Sequence, residues 1–594
     1  MTLAIIAVGA VTGAALGIGA WGVRVARTTS DLFVASRAVS PWWNAAAISG
    51  EYLSAASFLG IAGLEMKYGA SALWLPIGFA GGYLALLLFV AAPLRRYGSY
   101  TIADFVEARL ADPRLRTLAA CVVLLIGGFY LVPQLKGAGL TLGEVTGVPY
   151  WVGVVVVAAI VALNVALGGM RGITYVQAFQ YWVKVFAIAL PAFVLVVHLG
   201  GLPGRAALLG RELPRAGKHG LVVEVDRART VTFPEATRFT SNGVARAAGA
   251  GEKAHLARGT LVLPPGAAVP VADGIRARRG EDWARPVADG GRASPLFVYS
   301  LLLATFLGTM GLPHILVRFY TNPDGPAARR TTVRVLGLLG IFYLFPGLYG
   351  ALGRVLVPEL YVTGQTDLVV LRLPEAAWPG LGGEILAAVI AAGAFAAFMS
   401  TASGLLVSLA GTTSFDLWGR LRRRAPGRLA PFRVAAVLSM ALPACLALLT
   451  RELDISVLVS WAFALAASTF CPMLLLGIWW TRLTARASAI GMVAGALTAT
   501  GAIVAALVAG SEANDTVLAQ PAVFSVPIAF ATMIAVSLAG RPVPGVEVHM
   551  RALHAPEGLG IETSPAQPRQ AVSVLRGGET PEVDRVRTAG PERR

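Results

Sequence analysis

Residues 44–63 read NAAAISGEYLSAASFLGIAG, an apolar run whose middle holds Gly50, Glu51, Ser54 and Ser57. Its length and apolarity fit a crossing of a hydrocarbon core, which takes about 20 residues. Its polar centre does not fit a plain crossing. Glycine carries a helix entropy cost and serine competes for backbone hydrogen bonds, so the stretch is predicted to unwind in its middle. An unwound segment at mid-bilayer frees carbonyl oxygens to face a cation, and half-helix ends to face an anion. Close helix packing through small residues is the other reading of this composition, and the residues alone do not choose between the two.

The surrounding chain makes the same demand on a larger scale. Of 594 residues, 56% are hydrophobic and only 14% charged, too few charges to cover a soluble surface of this size. Lipid satisfies no backbone N–H or C=O group, so the recurring apolar blocks are predicted to be helices. Thirteen spans are expected, at about 3–22, 43–64, 72–93, 116–140, 150–168, 174–200, 296–320, 331–356, 383–410, 431–449, 455–479, 487–509 and 521–539. The formal charge of +17 sits in short clusters beside these spans, the pattern of orientation signals and not of a nucleic-acid footprint. Arg95, Arg96, Arg109, Arg114, Arg116, Arg171, Arg329, Arg330 and the arginines of 420–433 fall on one side. Lys67, Arg372 and Arg451 are nearly all that the short connections of the other side hold. The expected product is a multi-pass protein of the cell (plasma or inner) membrane, N-terminus outside and C-terminus in the cytoplasm. No basic residue precedes the first apolar run and Arg24 and Arg27 follow it, so it is read as a retained span and not a cleaved signal.

The organisation that follows is a first helix and cytoplasmic connection (1–42), spans two to six (43–200), an extracellular insert (201–295), spans seven to eleven (296–480), spans twelve and thirteen (481–540), and a cytoplasmic tail (541–594). LVVEVDRARTVTF and GTLVLPPGAAVPV alternate apolar and polar residues, so the insert is expected to be β-rich. The tail is rich in Arg, Glu, Pro and Gly, and disorder is expected there. Cys121, Cys445 and Cys471 lie in or beside apolar spans without metal-ligand spacing, and are expected to be buried small residues. No nucleotide-binding GxxxxGK[ST], HExxH or GxSxG motif occurs, nor a cluster of nucleophile, base or metal ligands, so neither an enzyme nor a cofactor is expected. Uphill transport would draw on an ion gradient.

Other spans carry polar interruptions, each a functional candidate by default. Span nine contains AFAAFMSTASG, where Ala397, Ser400 and Thr401 stand at i, i+3 and i+4 on one helical face. Hydroxyl and carbonyl oxygens suit a hard cation; back-bonding of each hydroxyl to its own helix is the plainer reading. Span seven contains FLGTMGLPHILVRFYT, in which Pro313 removes a backbone donor and Gly308 and Gly311 ease a break. His314 and Arg318 form either a proton relay or, more simply, a snorkelling or structural ion pair. Lys184 in span six is expected to reach water or a carboxylate. Tyr130 and Gln134 in span four are read either as cavity lining or as interhelical hydrogen-bond partners.

GEYLSAASFLGIAG (50–63), YGSYTIADFVEARL (97–110), GTMGLPHILVRFYT (308–321), AFAAFMSTASGLLVSLAGTTSFDLW (394–418) and WAFALAASTFCPMLLLGIWWTRLTARASAIG (461–491) together resemble the solute:sodium symporter family. Within it they are most similar to the acetate/monocarboxylate branch, the cation/acetate symporters. The resemblance runs from about residue 30 to 510, with the 201–295 insert longer than in many members. It implies an all-α membrane core of LeuT type, two inverted five-helix repeats made of spans two to six and seven to eleven. It implies sodium, bound by the carbonyls of Gly50, Leu53 and Ala397 and the hydroxyls of Ser400 and Thr401. It places substrate at Ala56, Ser57, Tyr130, Thr309 and Met310. The sugar-transporting branch has large polar side chains where this chain has Ala56 and Ser57, so the implied solute is a small acid such as acetate, propionate or pyruvate. Proton coupling, another small solute (proline, pantothenate or urea) and a transporter-like sensor are the alternatives.

Overall fold

Span two is two helices meeting at a break. In the computed structural model, Pro41–Tyr52 stops at Leu53, whose ψ of 85° is not helical. The chain resumes after Ser54 as a wide turn, Ala56–Gly60, leading into the helix Ile61–Tyr68. The interruption falls within the small, polar residues predicted to unwind. Span seven repeats the arrangement: Pro295–Gly311 and Pro313–Phe319 bend by 45° about Leu312. Pro313 starts its half-helix at a position where a backbone donor is not needed. The first half-helix lies tight against span eleven, because a Cβ on Gly308 or Gly311 would run into the carbonyl of Phe463 or Ala466.

The two broken helices lead the two expected repeats, and a buried polar cluster joins them. Asn44 Nδ2 donates to Asn322 Oδ1 at 3.1 Å, Thr321 Oγ1 donates to Asn44 Oδ1 at 3.1 Å, and Thr331 Oγ1 donates to Asn322 Oδ1 at 2.7 Å. Leu381–Gly411, span nine, is buried continuously from Ile390 to Gly411 and packs against Pro113–Thr146 and the long helical run Tyr150–His198. That run is 49 residues, more than twice the ~20 a crossing needs.

The structure describes residues 2–25, 40–99, 101–201, 213–275, 278–287, 294–418, 429–510, 516–541 and 543–555. Among these, ten helices are long and apolar enough to cross a membrane, eleven with the bent pair of span seven. Thirteen were expected. Span five, Tyr150–Ala166, is a shorter apolar helix outside that count, and spans two and three run together as Ala56–Phe89 through the tight turn Gly69–Leu73 and count once.

The insert folds as seven short antiparallel strands: β1 (Leu221–Val225), β2 (Arg229–Thr232), β3 (Thr237–Ser241), β4 (Val244–Ala248), β5 (Lys253–Leu256), β6 (Gly259–Leu263) and β7 (Val271–Ala272). One sheet runs β1-β6-β3-β4 and the other β5-β2-β7. Asn242 and Gly243 turn β3 into β4 with φ of 52° and 79°, the left-handed pair that a two-residue hairpin requires. Alternation buries Val223, Val225, Leu261 and Leu263. The short helix Gly280–Ala284 then anchors the module: Trp283 Nε1 donates to the Met66 carbonyl at 3.1 Å, beneath the Arg354 guanidinium 5.2 Å from the ring. Arg227 pairs with Glu452, and both line a cavity of about 340 Å³ together with Lys67, Lys136, Arg229, Asp367 and Asp454. Removing a buried Trp costs about 3–5 kcal/mol. Trp283→Ala is therefore expected to make the insert sensitive to limited proteolysis while the membrane helices stay resistant; unchanged digestion would show that Trp283 is not the anchor.

Two expectations need correcting. The tail does not begin disordered: Val546–His554 is a helix whose Val546, Met550 and Leu553 recur at helical spacing. Leu553 is buried, Tyr97 Oη lies 2.8 Å from His549 Nδ1, and His554 Nε2 lies 2.7 Å from the Ile478 carbonyl. Burial, aided by Arg109, holds the His549 imidazole below its usual range, keeping the ring neutral at this contact. Residues 556–594 lie outside the described residues, as does the 26–39 connection. Of the cysteines only Cys471 is buried; Cys121 and Cys445 lie on outward helix faces. Composition marks a span as apolar but not which of its faces is turned inward.

Candidate functional site

The break in span two leaves carbonyls directed at span nine. Ser400 Oγ donates to Gly50 O at 2.7 Å and lies 3.0 Å from Ala397 O, while Thr401 Oγ1 donates to Glu51 O at 2.5 Å. Gly50, Leu53, Ala397, Ser400 and Thr401 are all fully buried, and the fold places them side by side where spans two and nine meet. The hydroxyls do more than back-bond along their own helix. Their oxygens are the hard donors a sodium ion takes.

Lys184 reaches into this cage. Its Nζ donates to Gly50 O, to Leu53 O at 2.8 Å and to Ser400 Oγ at 2.6 Å. The expectation that Lys184 reaches water or a carboxylate is corrected: it reaches two carbonyls and a hydroxyl. An intramembrane lysine was conspicuous in the sequence. Its target was not, because the direction of one side chain on a uniformly apolar helix has no periodic signal.

Beside the cage lies a buried ion pair. Arg318 Nε donates to Glu51 Oε2 at 2.6 Å, Nη1 to Thr174 Oγ1 at 2.8 Å, and Nη2 to Gln177 Oε1; both charged side chains are 1% exposed. Gln177 Nε2 passes the connection on to Ser400 O at 2.7 Å. Arg318 is thus a structural ion-pair partner, joining the broken helices of both repeats to span six.

On the other side of the break, hydroxyl groups meet an aromatic wall. Tyr52 Oη lies 2.9 Å from Thr309 Oγ1, and Ser57 Oγ lies 3.2 Å from Tyr343 Oη. Tyr52 packs edge-on against Phe79, Tyr83 and Phe463, and Tyr130 against Phe463 and His314. Of the substrate candidates, Ser57, Tyr130 and Thr309 converge here, while Ala56 and Met310 are buried in the adjoining turns. Gln134 Oε1 accepts from the Ala55 amide at 2.9 Å, the interhelical reading of that residue. Tyr52, Phe79, Tyr343 and Phe463 were not singled out from sequence. Tyr52 stood in plain view inside the broken segment, and the other three come from distant spans that only the fold assembles. His314 is 2% exposed, and neither ring nitrogen has a protein partner.

Two discontinuous membrane helices, their breaks facing one another beside an oxygen cage, define a secondary transporter of the inverted-repeat type. The profile described as Sodium:solute symporter family matches residues 32–209 and 269–495, and the chain belongs to that family, whose coupling ion is sodium. The gap in the match, 210–268, contains β1 to β6 of the insert. Among curated proteins, the chain is 29% identical to the uncharacterized symporter YwcA of Bacillus subtilis (strain 168) over 534 residues, 88% of this chain and 91% of that protein. Among solved structures, it is similar to a substrate-bound, outward-open Na+-coupled sialic acid symporter, with a TM-score of 0.65 and 14% identity, covering 91% of this chain and 98% of the other. That likeness is one of fold.

Proposed function

We propose that this symporter carries a small monocarboxylate, of the size of acetate, propionate or pyruvate, into the cell by alternating access, with its N-terminus outside. The reading rests on the hydroxyl-lined junction of the two breaks, where Tyr52 meets Thr309 and Ser57 meets Tyr343, and to which the His314 ring, without a hydrogen-bond partner, is linked through Tyr130 and Phe463. Hydroxyl and imidazole N–H groups suit a carboxylate, and the small Ala56 and Ser57 leave little room for a sugar. Arg318 is committed to Glu51, so the anion would be held by neutral donors. The cage of Gly50, Leu53, Ala397, Ser400 and Thr401 is proposed as the seat of the coupling cation. Ion and solute then bias the alternation through their differential affinities for its two states.

Uptake of radiolabelled acetate, propionate and pyruvate into vesicles, with sodium or proton gradients imposed in turn, tests this. Gradient-driven accumulation of at least one is expected; accumulation of proline, pantothenate or urea in place of all three would reject the assignment. A hydrogen bond to a charged group contributes about 1.5–3 kcal/mol. His314→Leu is accordingly expected to raise the half-saturating carboxylate concentration by about one to two orders of magnitude, and His314→Asn by less. An unchanged value in His314→Leu would remove this residue from the pocket.

A further inference from the structure

The ammonium of Lys184 sits among the oxygens assigned to the coupling cation. We propose that Lys184 is a tethered cation that takes the ion's seat in this cage and competes with sodium for it. The inference rests on the cage being the coupling-cation site.

Three observations carry it. Lysine has three N–H donors and no acceptor, and here each finds one oxygen: Gly50 O, Leu53 O and Ser400 Oγ. A free carbonyl or hydroxyl set would be the coordination shell of a hard cation, and three of the five oxygens of this one are taken by the lysine nitrogen. Second, the lysine is fully buried, and the nearby carboxylate of Glu51 is bound to Arg318 at 2.6 Å. An ammonium at Lys184 is held by dipolar oxygens, as a bound alkali ion would be. Two unit charges cannot share so small a cage in a low-dielectric interior, so a sodium ion enters only when the ammonium leaves. Third, Lys184 comes from span six, whereas its partners come from spans two and nine. While seated, it ties the end of the first half-helix of span two, and span nine, to a third helix, a tie that a free ion drawing only on spans two and nine does not make. Exchange of lysine for sodium would then remove one tie of span six to spans two and nine, leaving that of Gln177 to Ser400 O, and a change in how firmly these helices are held is what a coupling ion needs to bias alternating access.

The test is binding of 22Na+ to the purified full-length protein in nanodiscs, compared among wild type, Lys184→Met, Lys184→Gln and Lys184→Met with Ser400→Ala. Two neutral replacements guard against one that fails to fold, and monodisperse elution qualifies each. Removal of the charge is expected to tighten sodium binding at least tenfold, and adding Ser400→Ala to abolish that gain. Equal affinity in wild type and both neutral variants, weakened in Lys184→Met by adding Ser400→Ala, would overturn the competition while leaving the cation site standing. No saturable sodium binding in any folded variant would overturn both.

Discussion

Arg318→Met is expected to be the most damaging single substitution in the membrane core. Arg318 reaches Glu51, Thr174 and Gln177 at once, and no solvent reaches the group. Methionine matches the arginine stem in length but leaves the Glu51 carboxylate without its cation. One of that carboxylate's oxygens, Oε1, already has no hydrogen-bond partner. Breaking a buried pair from one side costs about 3–5 kcal/mol, because the remaining charge is stranded in a medium that cannot solvate it. A clear fall in thermal-unfolding midpoint in detergent, with loss of folded yield, is the expected result. Neutralising the partner separates stranded charge from lost packing: Arg318→Met combined with Glu51→Gln is expected to recover much of the midpoint. A single variant as stable as wild type would show that the pair does not hold the two broken helices together. A double variant no better than the single would assign the loss to packing.

The fold was readable because bilayer physics leaves a chain few choices. Long apolar blocks must be helices, and a run such as SGEYLS inside one of them conflicts with a plain crossing strongly enough to mark the break at Leu53. Pro313 marked the second break by the same logic, through its missing donor. The oxygen cage was half legible. Ser400 and Thr401 declare a common face by their spacing, but only the resemblance linked that face to Gly50 and Leu53, 350 residues away along the chain for Ser400 and Gly50. The role of Lys184 was not legible at all: its three partners lie on two other spans, and no local pattern encodes a long-range contact. The aromatic wall escaped for the same reason, since Phe79, Tyr343 and Phe463 are ordinary apolar residues of their own helices until the fold brings them together. At the tail, average composition concealed a nine-residue amphipathic helix that packs on the ends of the core helices through His549 and His554.

Gly50→Ala and Gly128→Ala are expected to move stability in opposite directions although the chemical change is identical. Both glycines lie in helices, where alanine is intrinsically better by roughly 0.5–1 kcal/mol. A Cβ on Gly128 would meet nothing within 4 Å, so that gain should survive, and a neutral or slightly raised unfolding midpoint is expected. A Cβ on Gly50 would run into the Gln177 carbonyl and would stand 3.3 Å from Tyr181 Cβ. The obstacle is backbone of span six, not the yielding end of a side chain, so the helices must part. Overpacking of this kind costs about 1–3 kcal/mol. The separation also carries the Gly50 carbonyl away from Ser400 and Lys184, the contacts on which the cage depends. Uptake by Gly50→Ala is therefore expected to fall at least tenfold at equal membrane abundance, with Gly128→Ala near wild type. Wild-type uptake by Gly50→Ala would mean that the cage tolerates a shift of its carbonyls, and its geometry would then have no part in coupling.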